Sequence, residues 1–300
     1  MASPLAIQVD LTSLQAVSGK TALVTGASSG IGLAICDLLY ESGCNVVYVA
    51  GRKRPPTKVL LENNPRTLLF NCDVSSWEAQ RQIFADAIAK FGQIDVVCPN
   101  AGIGEPRDQM YELKTDAEGN LLPPETKVYD VDMKGTVYTT ALGLHHMAAK
   151  GGSIVIVSSL GGYIGVDEMP NYAATKHGAV GLLRSLCRPA AKKNMWVSLL
   201  APHIIYTPGT FFDRYVPTKE SYEAARAALK PSGVNLSSAY TCALGVAHLW
   251  HLGRAASGMS VLVEDDELRS LERELCDAYP AWFCKKIESV INDAVQDAWG

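Results

Sequence analysis

Thr25-Gly26-Ala27-Ser28-Ser29-Gly30-Ile31-Gly32 is the stretch whose reading decides the fold. It follows a short β-prone run, Thr21–Thr25 (TALVT), and opens a segment in which Ile31, Ile35, Leu38 and Leu39 make an apolar helical stripe. Glycines allow a tight turn and let backbone N–H groups approach a pyrophosphate, whose charge is favoured at a helix N-terminus. Strand, glycine-rich turn and helix in that order predict the first βα unit of a nucleotide-binding sheet. The spacing is G-x-x-x-G-x-G, which differs from the G-x-G-x-x-G of most dinucleotide folds.

The rest of the chain repeats the alternation. Asn45–Val49, Thr67–Asn71, Ile94–Cys98, Ser153–Ser158, Trp196–Leu200 and Met259–Val263 are further short runs, nearly continuous in apolar character, as strands buried on both faces must be. Helical patterns lie between them, with Phe84, Ala87, Ile88 and Phe91 on one stripe. This predicts right-handed βαβ crossovers and a Rossmann-type α/β fold. Its doubly wound parallel sheet has about seven strands and helices on both faces, within a single domain over 1–300. Three segments stand outside the repeat. Residues 104–124 form a polar excursion, residues 203–235 a long aromatic-bearing loop suited to a substrate lid, and residues 266–300 a helical extension with Phe283, Ile287, Val290, Ile291 and Ala294 on one face.

Composition narrows the partners. The chain has 300 residues, 48% hydrophobic and 19% charged, with net charge −4, which is ordinary for a globular protein and excludes a nucleic-acid-coating surface. Its eight cysteines form no CxxC pair, so neither a disulfide framework nor a zinc site is expected, and a reduced compartment is. No apolar run reaches about 18 residues, so no membrane partner is expected. The opening MASPLAIQVD carries no targeting pattern, and a cytoplasmic location is the default expectation.

With its TGxxxGxG turn, the sequence resembles the short-chain dehydrogenase/reductase family over roughly residues 18–265. Pro99-Asn100-Ala101-Gly102 resembles the family's NNAG with its first Asn replaced by Pro. The resemblance implies a nicotinamide dinucleotide held by Gly26, Ser28, Ser29, Gly30, Ile31 and Gly32 at the phosphate turn. It implies Asp73 at the adenine ring, with Val74, Asn100, Ala101 and Gly102 also among the cofactor contacts. Pro202, Ile205 and Thr207 would lie toward the carboxamide, with Tyr172 and Lys176 at the nicotinamide ribose. It also implies a homodimer or homotetramer. The segment from Gly258 to Trp282 resembles fungal members that act on secondary metabolites.

The end of the second strand bears on the cofactor. An acid there would hydrogen-bond a ribose 2′-OH and repel a 2′-phosphate. Here the segment reads Ala50-Gly51-Arg52-Lys53-Arg54, with three cations and no acid. Arg52, with its bidentate fork, and Lys53 predict NADP(H) in preference to NAD(H).

Tyr172-Ala173-Ala174-Thr175-Lys176 carries the chemistry. Residues i and i+4 share a helix face, so the phenol and ammonium act together. A free tyrosine has a pKa of about 10, and a neighbouring cation favours its phenolate. Ser159 lies thirteen residues before Tyr172, the family's spacing for the serine that hydrogen-bonds the substrate oxygen. Ser158 is adjacent, and strand alternation lets only one of the two face the site. The family's Asn, forty residues before the Tyr, is here Asp132, whose charge would favour the ammonium of Lys176 while opposing phenolate on Tyr172.

Asp167, His203, Tyr206, Phe211 and Phe212 are the expected substrate contacts, and no metal is expected. A self-satisfied lid core is the alternative for the aromatics, and an incidental loop histidine for His203. Together these residues predict an NADP(H)-dependent ketoreductase acting on a bulky, largely apolar small molecule. The alternatives are an NAD(P)+-dependent alcohol dehydrogenase, a reductase with a further cyclisation or isomerisation activity, and a catalytically silent nucleotide sensor.

Overall fold

The computed structural model describes residues 6–9, 14, 16–51, 53, 55–57, 64–211, 214–272 and 275. Arg52, Phe212 and residues 276–300, with the apolar stripe expected there, lie outside the described residues.

The seven apolar runs fold as strands, and three more join them: β1 (Thr21–Thr25), β2 (Asn45–Ala50), β3 (Thr67–Asn71), β4 (Val96–Cys98), β5 (Gly152–Val157), β6 (Met195–Pro202), β7 (Ile204–Tyr206), β8 (Leu236–Ser238), β9 (Ser260–Glu264) and β10 (Glu267–Ser270), with β7, β8 and β10 the additions. The helices are α1 (Gly30–Glu41), α2 (Trp77–Phe91), α3 (Gly135–Met147), α4 (Pro170–Ala191), the single turn α5 (Pro208–Phe211), α6 (Lys219–Leu229) and α7 (Ala239–Leu252). The main sheet runs β10-β9-β6-β5-β4-β1-β2-β3. Its strands are parallel up to β9, so the order reverses between β1 and β4 and opens a crevice at their carboxyl ends.

Alternate residues of each strand feed two cores. Ala22, Val24, Val46, Tyr48, Val155 and Val261 point to the side covered by α1 and α7. Leu23, Val47, Val49, Ile154, Val197 and Leu199 point to the side covered by α2, α3 and α4. Burial on both faces is why the strands read as unbroken apolar runs. The helical stripes sit as their spacing requires, with Ile35, Leu39, Phe84 and Ala87 fully enclosed.

Two expectations need correction. The sheet has eight strands rather than about seven, because the chain after Asp265 first turns back as antiparallel β10 and is not helical there. Asp265 and Asp266 both take left-handed conformations (φ 51° and 57°), which a two-residue hairpin loop demands. Aspartate tolerates that region through local hydrogen bonding, but without a glycine the pair gives little turn signal.

The second correction concerns 203–235, which is built rather than looped. β7 pairs in parallel with β8, and α5 and α6 lie between them. Asp266 clamps this unit to the core by accepting hydrogen bonds from Ser238 N–H (2.8 Å), the Thr241 hydroxyl (2.6 Å) and the Tyr222 hydroxyl. Burial pushes the Asp266 carboxyl up, but these donors more than offset it and hold it below the usual carboxylate range. Arg226 on α6 pairs with Asp265 at 2.6 Å.

Among the described residues, no helix is long and apolar enough to cross a membrane. Leu199→Ala empties a fully enclosed site and should lower unfolding free energy by about 2–5 kcal/mol in urea denaturation. Tyr111→Ala, at a residue 85% exposed, should change it by less than about 0.5 kcal/mol.

Candidate active site

The turn after β1 forms one wall of the crevice, and its glycines are required by close approaches. A Cβ on Gly26 would lie 2.8 Å from Ala101 Cα, and one on Gly32 would lie 2.5 Å from both Gly26 O and Asn100 Nδ2. The Asn100 amide donates to Thr25 O at 2.8 Å, and Asn100 and Ala101 N–H both donate to Thr25 Oγ1. Asn100 therefore buttresses the turn with its side chain, beneath the surface a dinucleotide would touch. Ser28 Oγ accepts from Gly51 N–H at 2.7 Å and ties the turn to the end of β2, where Lys53 is exposed.

A cleft of about 510 Å³ opens above this turn. Of the expected cofactor residues, Gly26, Ser28, Ser29, Asp73, Val74, Ala101 and Gly102 line it; Ile103, Lys127 and Val131 do so without having been expected. Asp73 Oδ1 accepts from the Ser75 N–H and hydroxyl, which hold its carboxyl below the usual range, with Lys127 adding to the effect. A bare glycine floor and a helix N-terminus that donate, with a carboxylate that accepts at the far end, are what a dinucleotide needs, so the residues present fit that group. Thr207 closes the turn from above, with its side chain 3.2 Å from the position of a Cβ on Gly30. Pro202 ends β6, and Ile205 is buried in the core between them.

The polar cluster stands beside this cleft. Lys176 Nζ lies 2.9 Å from Asp132 Oδ2, both side chains being almost wholly buried, and 5.1 Å from the centroid of the Tyr172 ring. Asp132 Oδ1 accepts from Ile103 N–H at 2.8 Å. Asp132 belongs to a π-helical turn, Tyr129–Lys134, of the kind that recurs where a helix is distorted for function. Gly102 separates the ion pair from the cleft, since a Cβ there would lie 2.9 Å from Asp132 Oδ2 and 3.2 Å from Lys176 Nζ. Burial alone would push the Lys176 ammonium down, but the adjacent Asp132 charge, with Tyr172, holds it above its ordinary value. A raised folded-state pKa is stabilising below the unfolded value and is lost only as pH rises through the folded one, so the pair is intact at neutrality.

The two serines separate as alternation requires. Ser158 Oγ is buried and donates to Lys176 O at 3.1 Å, whereas Ser159 Oγ accepts from Gly161 N–H at 3.0 Å. A Cβ on Gly161 would sit 3.4 Å from Ser159 Oγ and 3.6 Å from Tyr172 Cε1, so the serine and the phenol ring flank that glycine.

The expected substrate contacts are more dispersed. Tyr206 is nearly enclosed among Phe211, Tyr215 and Tyr222, with ring centroids 4.8, 5.0 and 5.8 Å away, and its hydroxyl accepts from Val216 N–H. His203 Nδ1 lies 3.1 Å from Glu264 Oε1, toward the end of β9. Asp167 is exposed on the loop before α4. Tyr206 and Phe211 thus form the core of the 203–235 unit, and the His203 imidazole is engaged by Glu264.

Residues 20–213 match the short chain dehydrogenase family, and the chain belongs to that family of nicotinamide-nucleotide oxidoreductases. It is 29% identical to a short-chain dehydrogenase/reductase, prx4, of Penicillium rubens, over 89% of this chain and 81% of that one. It is 34% identical to cis-4-hydroxycyclohexanecarboxylate dehydrogenase of Sinomonas cyclohexanicum, over 65% and 76% of the two chains. It is 32% identical to 15-hydroxyprostaglandin dehydrogenase [NAD(+)] of Bos taurus, over 64% and 70%.

Replacing the carboxylate that faces Lys176 tests the electrostatics. Asp132→Asn removes the anion that raises the Lys176 ammonium, so the alkaline limb of the rate–pH profile should move to lower pH by about 0.5–1 unit. Stopped-flow or steady-state rates between pH 6 and 11 would read the shift, and an unmoved limb would refute the coupling.

Proposed function

We propose that this protein is an NADP(H)-dependent oxidoreductase that interconverts a ketone and a secondary alcohol on a bulky, largely apolar small molecule, running as a ketoreductase. The observation that carries the reading is the convergence of Ser159, Tyr172 and Lys176 beside the glycine-floored cleft, whose lining residue Gly102 adjoins the ammonium. A nicotinamide dinucleotide held in that cleft would supply the hydride chemistry at the carbonyl carbon.

The chain's own residues handle the oxygen. Ser159 Oγ donates a hydrogen bond to the carbonyl oxygen and fixes it within reach of Tyr172. The Tyr172 hydroxyl gives its proton to that oxygen as negative charge develops on it. Lys176, held charged by Asp132, steadies the phenolate left behind and donates to the nicotinamide ribose. In the oxidative direction the phenolate takes the alcohol proton back. The relatives named as dehydrogenases of hydroxylated carboxylates and prostaglandins support an alcohol–ketone couple.

Preference for the 2′-phosphate rests on Ala50, Gly51 and Lys53, where β2 ends without an acid, and on Arg52 beside them. The NAD(+) in the name of one relative favours the opposite assignment, and direct comparison decides between them. NADPH should be turned over at least tenfold more efficiently than NADH, and Arg52→Ala should remove about 10–100-fold of the NADPH efficiency while sparing NADH. A preference for NADH in the unaltered protein would overturn the assignment.

Incubation with NADPH and a panel of bulky ketones tests the acid. Tyr172→Phe should lower kcat by about 10²–10⁴-fold with NADPH binding retained, read by nicotinamide fluorescence. Turnover surviving in that variant would remove Tyr172 from the role.

A further inference from the structure

The helix that carries Tyr172, like any α-helix, begins with N–H groups that no carbonyl of its own turns can reach. Pro170 has no N–H, Met169 supplies no capping side chain, and the first helical bond that closes runs from Ala173 N–H to Met169 O. The Tyr172 N–H is therefore left without an intrahelical partner. A carboxylate from elsewhere in the chain fills the gap: Glu105, 67 residues earlier and only 9% exposed, accepts that N–H on Oε1 at 2.7 Å. Its other oxygen accepts from Asn171 Nδ2 at 2.8 Å and from Gln109 Nε2.

Each partner is held from behind. Asn171 Oδ1 accepts from the Tyr129 hydroxyl at 3.1 Å, beside the π turn that carries Asp132. Gln109 accepts Glu125 N–H at 2.7 Å and donates to Glu125 O at 3.1 Å, so its amide cannot be turned round. All three neighbours of Glu105 are thus donors, a set that a carboxylate matches and that an amide would contradict at one oxygen. The excursion bearing Glu105 is also seated against the loop before α4. Arg107 pairs with Glu168 at 2.9 Å and Asp108 N–H donates to Glu168 O, and Asp108 and Glu168 both hold left-handed backbones (φ 59° and 66°).

Resting on the reading of Tyr172 as proton donor, we propose that Glu105 is the positioning residue for Tyr172: it fixes the first turn of α4 so that the phenol stands over Gly161, opposite Ser159. Glu105 does not line the cofactor cleft, so its effect falls on the chemical step and not on nucleotide binding. Misplacement of a reacting group by about 1 Å is enough to cost about 10²-fold in rate.

The full-length variants Glu105→Ala and Glu105→Gln separate this from simple support of the fold. In Glu105→Ala, kcat for ketone reduction should fall about 10–100-fold at unchanged KM for NADPH. Glu105→Gln, which keeps one acceptor for the Tyr172 N–H, should recover part of that loss. Without any substrate, hydrogen exchange at the Tyr172 amide should accelerate at least tenfold in Glu105→Ala, while amides of β5 and β6 keep their protection. The proposal falls if kcat stays within twofold of the unaltered protein, if KM for NADPH rises in step with the loss, or if the Tyr172 amide is unaffected. Should Glu105→Ala fail to fold, the same exchange and kcat measurements on Glu105→Gln decide. If Tyr172→Phe keeps its activity, or no ketone is turned over by the unaltered protein, the functional reading has failed, and Glu105 loses its catalytic role with it. If Tyr172→Phe is inactive and the Glu105 variants behave as the unaltered protein, only the positioning role has failed.

Discussion

Burial disfavours an ammonium and a neighbouring anion restores it, and the pairing of Lys176 with Asp132 is the interaction around which the site is arranged. Removing two charges from water is so unfavourable that such a pair persists only where hydrogen bonds complete it. Here Ile103 N–H holds the second oxygen of Asp132, and Gly102 leaves the room that any side chain would take away. The pair contributes little net stability by itself, but it confines Lys176 to one place, beneath the Tyr172 ring and behind the floor of the cleft. A lysine free to move through its four-carbon stem would have no fixed relation to either.

From that pair the constraints spread to four segments far apart in the chain. The turn after β4 brings Gly102 and Ile103, the π turn brings Asp132, α4 brings Tyr172 and Lys176, and the end of β5 brings Ser159. They meet because a doubly wound sheet sends the carboxyl ends of its strands to one edge and parts its crossovers at the switch between β1 and β4. The same geometry sets the phosphate turn and the polar cluster side by side, sharing Gly102 as their common wall. The glycine turn and the Lys176–Asp132 pair are therefore neighbours by topology before any residue is chosen for either.

What could be read in the sequence follows from how local each signal is. The seven strands were legible because burial on both faces writes an unbroken apolar run, and the turn and the Tyr172/Lys176 pair because both obey fixed spacings within one element. The partners supplied across the fold were not. Nothing about a glutamate in Gly104-Glu105-Pro106 announces that it will meet an amide 67 residues later, and Lys127 enters the cleft only through the path of the excursion. The aromatic residues of 203–235 admitted two readings. Their number suggested a lining for a bulky ligand, yet Tyr206, Phe211, Tyr215 and Tyr222 are the apolar content a small unit needs to hold β7, β8 and α6 together. The Asp265-Asp266 turn was hidden because its left-handed backbone is carried by two aspartates, where Asn-Gly or Asp-Gly is the readable pattern.

That hairpin changes how the substrate side is to be understood. A lid joined to its core only by loops would be free to open, whereas Asp266 receives donors from α6, the start of α7 and β8 at once, and Asp265 holds Arg226. The carboxyl of Asp266 stays ionised because those donors outweigh its burial, so the clamp is strongest in its charged form and has no reason to release near neutrality. The position of the 203–235 unit is then fixed by the edge of the main sheet, through β9 and β10. Thr207, at the start of that unit, is seated over Gly30 by the same framework. Residues 104–124 are fixed instead to α4 and the loop before it, through Glu105 and the Arg107–Glu168 pair. The two segments are thus anchored to different parts of the protein, so a change in the 203–235 unit can occur without disturbing the attachment of Tyr172 to Glu105.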